Sequence, residues 1–216
     1  MRHALTLLLA IVLLGIAGYG QNRKTFNIVD FGAKAGGVTM NTGFIQAAID
    51  AATGAGGGIV VVPKGIFLTG TILLKSNVEL QLRQGAVLQA SLLPADYQQL
   101  AFVFAEGQDH ISITGKGTID GRGRQVDLYI DSLFYAGKYD SADYNLRRKR
   151  PEKRPGGLRI TNCTNVLLKG ITVKDAAAWV QTYTLCENLT IESTSVIVRK
   201  CGSRIVMSIR PMMAFV

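Results

Sequence analysis

The chain has 216 residues, with 24 Lys and Arg against 15 Asp and Glu for a net charge of +9, and 48% of its residues are hydrophobic. That apolar content and a charged fraction of only 18% exclude a disordered tail, and three cysteines exclude a disulfide-framework miniprotein. Two histidines, one of them His3, leave little material for a His-based metal site or a Ser-His-Asp triad.

Arg2 and His3 precede an apolar run from Ala4 to Ala17, after which come Gly18, Gly20 and the polar stretch Gln21 to Lys24. A positive start, a short apolar centre and a small-residue exit are the anatomy of a secretory signal peptide, and the run is shorter than the ~20 residues of a spanning helix. Residues 1–20 are therefore read as a signal peptide, and the rest as a secreted or periplasmic protein free of the membrane after cleavage.

Asn27 to Phe31 reads as a short strand running into a turn at Gly32. From Thr42 to Thr53 the apolar residues Phe44, Ile45, Ala48, Ile49 and Ala52 fall on one helical stripe, with Asn41 or Thr42 as a cap and Gly54 as a stop. The glycines from Gly54 to Gly58 do not form a phosphate loop. The order here is helix, glycines, strand, and the Lys-Ser/Thr of such a loop is missing.

Beyond Ile59-Val60-Val61-Val62 the chain reads as short strands and turns, with no second helix before Pro94. One pattern, a polar pair followed by alternating β residues, recurs at Ser76–Leu82, Asp109–Gly115, Thr164–Ile171 and Glu187–Ile191. Asn165 and Asn188 lie 23 residues apart, and Cys163 and Cys186 keep the same offset. A period of this size with strands and turns in each unit predicts a solenoid. The all-β fold expected is a right-handed single-stranded parallel β-helix whose coils stack about 4.8 Å apart. Inward Val, Ile and Leu would form ladders, Asn would stack at a repeating turn, and the helix from Thr42 would cap the open end. Cys163 and Cys186 then lie on adjacent coils, as buried thiols or as a disulfide. His110 reads as a strand or turn residue.

A long insertion separates the second and third copies of the pattern. It carries Leu146-Arg147-Arg148-Lys149-Arg150-Pro151-Glu152-Lys153-Arg154-Pro155, either a solvated loop or a basic rim for an acidic polymer. No aromatic residues interleave with these charges, so nucleic acid is not the expected partner.

These residues resemble the polygalacturonase-type family of pectin-degrading glycoside hydrolases. The phrases that carry the resemblance run in order from Val29-Asp30-Phe31-Gly32-Ala33-Lys34 and Ile45–Ala52 through Gly56–Gly65 and Phe67-Leu68-Thr69-Gly70. They continue through Gly117-Thr118-Ile119-Asp120-Gly121-Arg122-Gly123, Arg154-Pro155, Gly170-Ile171-Thr172-Val173 and Trp179 to Cys186-Glu187-Asn188-Leu189-Thr190-Ile191. Two phrases depart from the family: Gly36-Gly37-Val38-Thr39, and Asp175-Ala176-Ala177-Ala178-Trp179 where Asn-Ser-Pro-x-Trp is commoner.

The resemblance implies a β-helix that hydrolyses galacturonan-type linkages with inversion, which needs one carboxylic acid and one carboxylate about 6.5–9.5 Å apart across the scissile bond. The family draws these from an Asn-x-Asp segment and an Asp-Asp pair on the next coil, followed by Gly-His-Gly and Arg-x-Lys. None of the four is present: there is no Asp or Glu from Ser193 to Val216, and His110 lies in an early strand. No catalytic residue, metal ligand or cofactor is therefore assigned, the substrate-binding residues are left open, and the 216-residue chain is expected to be inactive. Asp120 and Asp175 read as turn residues or as remnants of a cleft. The domain is bounded at residues 21–197, with 198–216 as an out-of-frame tail and the open last coil as a site of aggregation if the chain is not a monomer.

Two other functions are weighed: a non-catalytic β-helix that binds acidic cell-wall polysaccharide through Arg147 to Arg154, and a calcium-dependent pectate lyase using the acidic residues Asp127, Asp131, Asp140 and Asp143. With synonymous codons chosen freely, Lys200 to Val216 reads in another frame as a family-like coil ending in Asp-Asp-Gly. A frameshift upstream of Lys200 is expected. The nucleotide sequence downstream of codon 192 checks it, and codons that forbid that frame refute it.

Overall fold

The computed structural model describes residues 23–138 and 154–197, together with the backbone of residues 205–209. The segment read as a signal peptide, most of the basic run from Arg147, Asp140, Asp143 and Cys201 lie outside the described residues.

Three sets of stacked strands run along one axis. Sheet one stacks β1 (Thr25–Asn27), β2 (Gly58–Val62), β5 (Val78–Leu82), β8 (Asp109–Gly115), β11 (Thr164–Lys169) and the second half of β13 (Gln181–Glu192). Sheet two stacks β3 (Gly65–Thr69), β6 (Ala86–Ala90), β9 (Thr118–Asp120), β12 (Thr172–Lys174) and β14 (Ser195–Ile197). Sheet three stacks β4 (Ile72–Leu73), β7 (Ala101–Glu106), β10 (Gly156–Thr161), the first half of β13 and β15 (Ile205–Ile209). Every pairing between strands among the described residues is parallel, and the chain visits the three sheets in rotation. This is the right-handed parallel β-helix that the repeat predicts.

The registers show why the repeat folds this way. On sheet one Val60, Leu80, Ile113, Leu168 and Ile191 pair in sequence, each on its neighbour in the next coil. On sheet two Phe67, Leu88, Ile119, Val173 and Val196 do the same. Alternation along each strand turns these residues inward, and the first four of each ladder are buried in one core. Sheet three differs: its ladder from Ile72, Val103 and Leu158 passes onto the buried polar Gln181, which pairs in turn with Ile205.

The helix α1 (Thr42–Gly54) closes the N-terminal end of this core with Ile45, Ala48, Ile49 and Ala52. The strand expected over Asn27 to Phe31 stops at Asn27, because the Asn27 side chain accepts the Val29 N–H (3.1 Å) and Ile28–Phe31 winds into a 3-10 turn. A second helix, α2 (Gly123–Tyr135), opens the insertion, beyond the Pro94 limit of the stretch expected to hold no helix. Its i, i+4 pair Val126 and Ile130 packs on Ala177. The segment Ile205–Ile209, where the sequence pattern predicts no coil, pairs in parallel along Gln181–Cys186. Strand addition uses backbone N–H and C=O groups, so an extended segment at an open edge can join whatever its side-chain pattern.

Between sheets three and one each coil has a left-handed residue at the same station: Asn77 (φ 63°), His110 (53°), Asn165 (52°) and Asn188 (52°), and three of these coils carry a second one at Gly107 (63°), Asn162 (55°) and Leu185 (54°). Asn and His are among the few side chains enriched in this conformation, which accounts for the recurrent Asn and places His110 as a turn residue. Asn188 Nδ2 donates to Asn165 Oδ1 (3.0 Å), and Asn165 Nδ2 donates to Asp109 Oδ1 (2.8 Å). Asp109 Oδ2 is bonded to His110 Nδ1 at 2.6 Å. Cys163 and Cys186 occupy matching places inside this corner as buried free thiols, which decides between the two states left open by the sequence. Burial pushes the Cys163 thiol up, so little of the reactive thiolate is present.

Two outcomes follow. Leu80 is fully buried at the middle of its ladder, so Leu80→Ala is expected to lose about 2–5 kcal/mol in urea denaturation. Hydrogen bonds from Thr164, Asn165 and His110 hold the Asp109 carboxyl well below the usual carboxylate range. Because the folded value is depressed, the stabilisation is present above the unfolded value of about 3.9 and fades as the pH falls below it. Asp109→Asn is thus expected to be less stable than the parent at neutral pH, with the gap narrowing below about pH 4.

Candidate functional site: a groove on sheet three

The outward side chains of sheet three alternate with its buried ones. In β10, Leu158 and Ile160 point into the core while Arg159 faces solvent, and in β13 Tyr183 is buried between the outward Thr182 and Thr184. Register sets Phe104, Arg159 and Thr182 in one outward row, with Glu106, Thr161 and Thr184 in the next. The result is a groove of about 400 Å³ whose lining includes Arg154, Arg159, Thr161, Trp179, Thr182 and Thr184.

Each functional side chain is held by its surroundings. The Arg159 guanidinium lies over the Phe104 ring, 6.0 Å from its centroid, and donates to the Gln99 carbonyl (3.2 Å). A guanidinium so stacked keeps part of its donor fork available to a ligand carboxylate. Arg154 Nη1 donates to the Ala177 carbonyl (3.2 Å), which ties the start of β10 to the next coil. Trp179, the only tryptophan, is 41% exposed at the groove, and its carbonyl accepts the Gly157 N–H at 2.9 Å. Glycine is required at 157, since a Cβ there would stand 2.3 Å from the Val180 carbonyl oxygen.

The departure at Asp175-Ala176-Ala177-Ala178-Trp179 has a packing reason. A Cβ on Gly123 would stand 2.5 Å from the Ala176 carbonyl carbon, and one on Gly121 would stand 2.7 Å from the Ala176 Cα. The α2 helix begins directly against this backbone, and Ala177 carries the Val126 and Ile130 contact.

Of the carboxylates singled out in the sequence, Asp120 ends its sheet-two strand and Asp175 follows directly on the adjacent one. Asp120 Oδ2 is 3.0 Å from Lys174 Nζ, and its Oδ1 accepts the Arg122 N–H (3.1 Å). Asp175 sits in a left-handed turn (φ 54°), its N–H donating to the Ile197 carbonyl (3.0 Å) and its carbonyl accepting the Gly123 N–H. Asp120 is thus a strand-end residue and Asp175 a turn residue. Asp127 is buried and Asp131 half-buried on α2. His110 belongs to the sheet-one corner and not to the groove.

The sequence reading placed Arg154 and Trp179 within family phrases but left Arg159 unmarked. Its signal was the alternation Leu158-Arg159-Ile160, which commits Arg159 to the outer face once the strand is fixed.

Comparison with known proteins agrees with this fold. The family described as Rhamnogalacturonase A/epimerase, pectate lyase-like matches residues 25–101. An exo-poly-alpha-D-galacturonosidase of Dickeya chrysanthemi is 38% identical over 122 residues, a match covering 46% of this chain and 20% of that protein. The crystal structure of a candidate glycosyl hydrolase from Parabacteroides merdae superposes with a TM-score of 0.72 at 34% identity, covering 81% of this chain and 75% of that one. An exopolygalacturonase from Thermotoga maritima shares the fold with a TM-score of 0.67 at 22% identity, over 83% of this chain and 48% of that one. The chain belongs to the polygalacturonase-type family of pectin-degrading glycoside hydrolases. It spans about a fifth of the length of the Dickeya relative.

Proposed function

We propose that this chain is a secreted pectin-type β-helix that holds a galacturonic-acid chain along sheet three, and that its 216 residues bind such a chain without cleaving it. One observation carries the reading: an exposed arginine and the single tryptophan share one groove on the face where parallel strands repeat. A uronate polymer presents a carboxylate and a ring on each unit. The Arg159 guanidinium matches the carboxylate as a planar fork, and the exposed Trp179 offers a flat apolar surface to a ring. The threonine hydroxyls at 161, 182 and 184 supply further partners for sugar hydroxyls.

Hydrolysis of the family's kind needs a proton donor and a carboxylate that activates water, held on opposite sides of the bond. Asp120 is engaged by Lys174 and Asp175 sits in a left-handed turn, and the proposal assigns the role to neither. Galacturonan, plain or rhamnose-containing, is the substrate class, and the related full-length activity is inverting hydrolysis.

Trp179 makes the reading measurable, since it is the only tryptophan. Tetragalacturonate is expected to change its fluorescence saturably. Arg159→Ala should weaken the apparent affinity about two- to fivefold, as for an exposed ion pair. Salt near 1 M, where the screening length is ~3 Å, should largely remove the binding. A reducing-end assay on polygalacturonate should show no turnover by the pure chain. Saturable binding untouched by Arg159→Ala and by salt would overturn the groove assignment, and turnover would overturn the second half of the proposal.

A further inference from the structure

Sheet one carries a separate cavity of about 660 Å³ on its outer face. Its floor is Ser112 of β8 and Leu167 of β11, which pair directly across adjacent coils. His110 and Asn165 of the left-handed corner line one part of it, and Asn77 leads from them to Gly57 and Arg23, with Gly56 and Lys24 also in the lining. Glycine keeps the cavity open. Gly57 lies at φ +121°, where a Cβ would stand 2.7 Å from the Asn77 carbonyl oxygen, and nothing lies within 4 Å of a Cβ placed on Gly56.

The polar groups of this cavity are unevenly used by the protein. Arg23 is engaged by three groups: Nη1 lies 2.8 Å from Glu79 Oε2, and Nη2 donates to the carbonyls of Gly58 (3.1 Å) and Asn77 (3.2 Å). The side-chain hydrogen bonds of the corner pass from Asn188 through Asn165 to Asp109 and His110 Nδ1, and there they stop. Among the described residues no partner meets the Asn77 amide, His110 Nε2, the Ser112 hydroxyl or the Lys24 ammonium. His110 is well exposed, with 62% of its side chain open to solvent. A histidine standing where the other coils carry asparagine breaks the ladder and leaves two turn side chains facing outward.

Mixed donors and acceptors, an apolar Leu167 floor and an unpaired ammonium in one lining fit a polyhydroxylated ring bearing a carboxylate. We propose that sheet one holds a second, non-catalytic saccharide site, distinct from the sheet-three groove, that takes a short uronic-acid segment. Asn77, His110 and Ser112 bond its hydroxyls and Lys24 its carboxylate. The choice of ligand class rests on the reading of the sheet-three groove; the site itself rests on the cavity and its unused polar groups.

The test is titration of the 15N-labelled full chain with tetragalacturonate, followed by backbone amides. Gly57, His110 and Ser112 report on sheet one, and Gly156 and Thr182 on sheet three. The sheet-one amides are expected to shift saturably, and maltotetraose, which lacks carboxylates, to shift them more weakly. Lys24→Ala with His110→Asn should weaken the sheet-one response about two- to fivefold and leave sheet three unchanged. Asn at 110 is what the neighbouring coils carry, so this variant keeps the corner. Static sheet-one amides, an equal response to maltotetraose, or a response indifferent to the double variant would each overturn the inference. Sheet-one shifts with static sheet-three amides would support it and sink the groove reading instead.

Discussion

Everything in this molecule depends on parallel backbone pairing between one coil and the next. Each strand satisfies its N–H and C=O groups only through neighbours a full coil away in sequence, so no strand is complete by itself. That constraint forces like onto like. A residue that faces the core in one coil meets a residue at the same station in the next, and the apolar ladder from Val60 to Ile191 is the outcome. The ends of such a stack are its weak points, and α1 covers one of them with four buried aliphatic side chains.

The same stacking makes the outer surface a periodic template. Outward rows repeat at the coil spacing, so a polymer laid across them meets similar side chains at similar intervals. On sheet three the row contains an arginine held over a phenylalanine and, at the coil's edge, an exposed tryptophan. On sheet one it contains a corner of amides interrupted by one imidazole. Two faces of one winding thereby present different chemistry without any change in the core that supports them.

The winding was legible in the sequence because stacking writes itself into the chain as repetition. Asn165 and Asn188, with Cys163 and Cys186 at the same offset, reported the coil length, and the alternating Val, Ile and Leu reported which side was inside. What did not repeat was harder to read. The α2 helix belongs to a single coil and rests on a small contact with Ala177, so no neighbouring copy announces it. Arg159 was hidden for a related reason: one charged residue between two aliphatic ones marks an outward position but carries no sign of the Phe104 ring beneath it. Residues 205–209 joined sheet three through backbone groups, a kind of bond that side-chain patterns do not encode.

The placement of α2 has a consequence for how this architecture diversifies. The chain leaves sheet two at β9 and rejoins sheet three at β10, yet Thr172 still pairs with Thr118 and Leu158 with Val103, as if no detour had been taken. That corner is therefore an expansion joint. Segments of different length and chemistry can be spliced between residues 121 and 156 while every rung keeps its partner. A grafted loop there would overhang the groove on sheet three, giving a route to new recognition that leaves the solenoid's interior untouched.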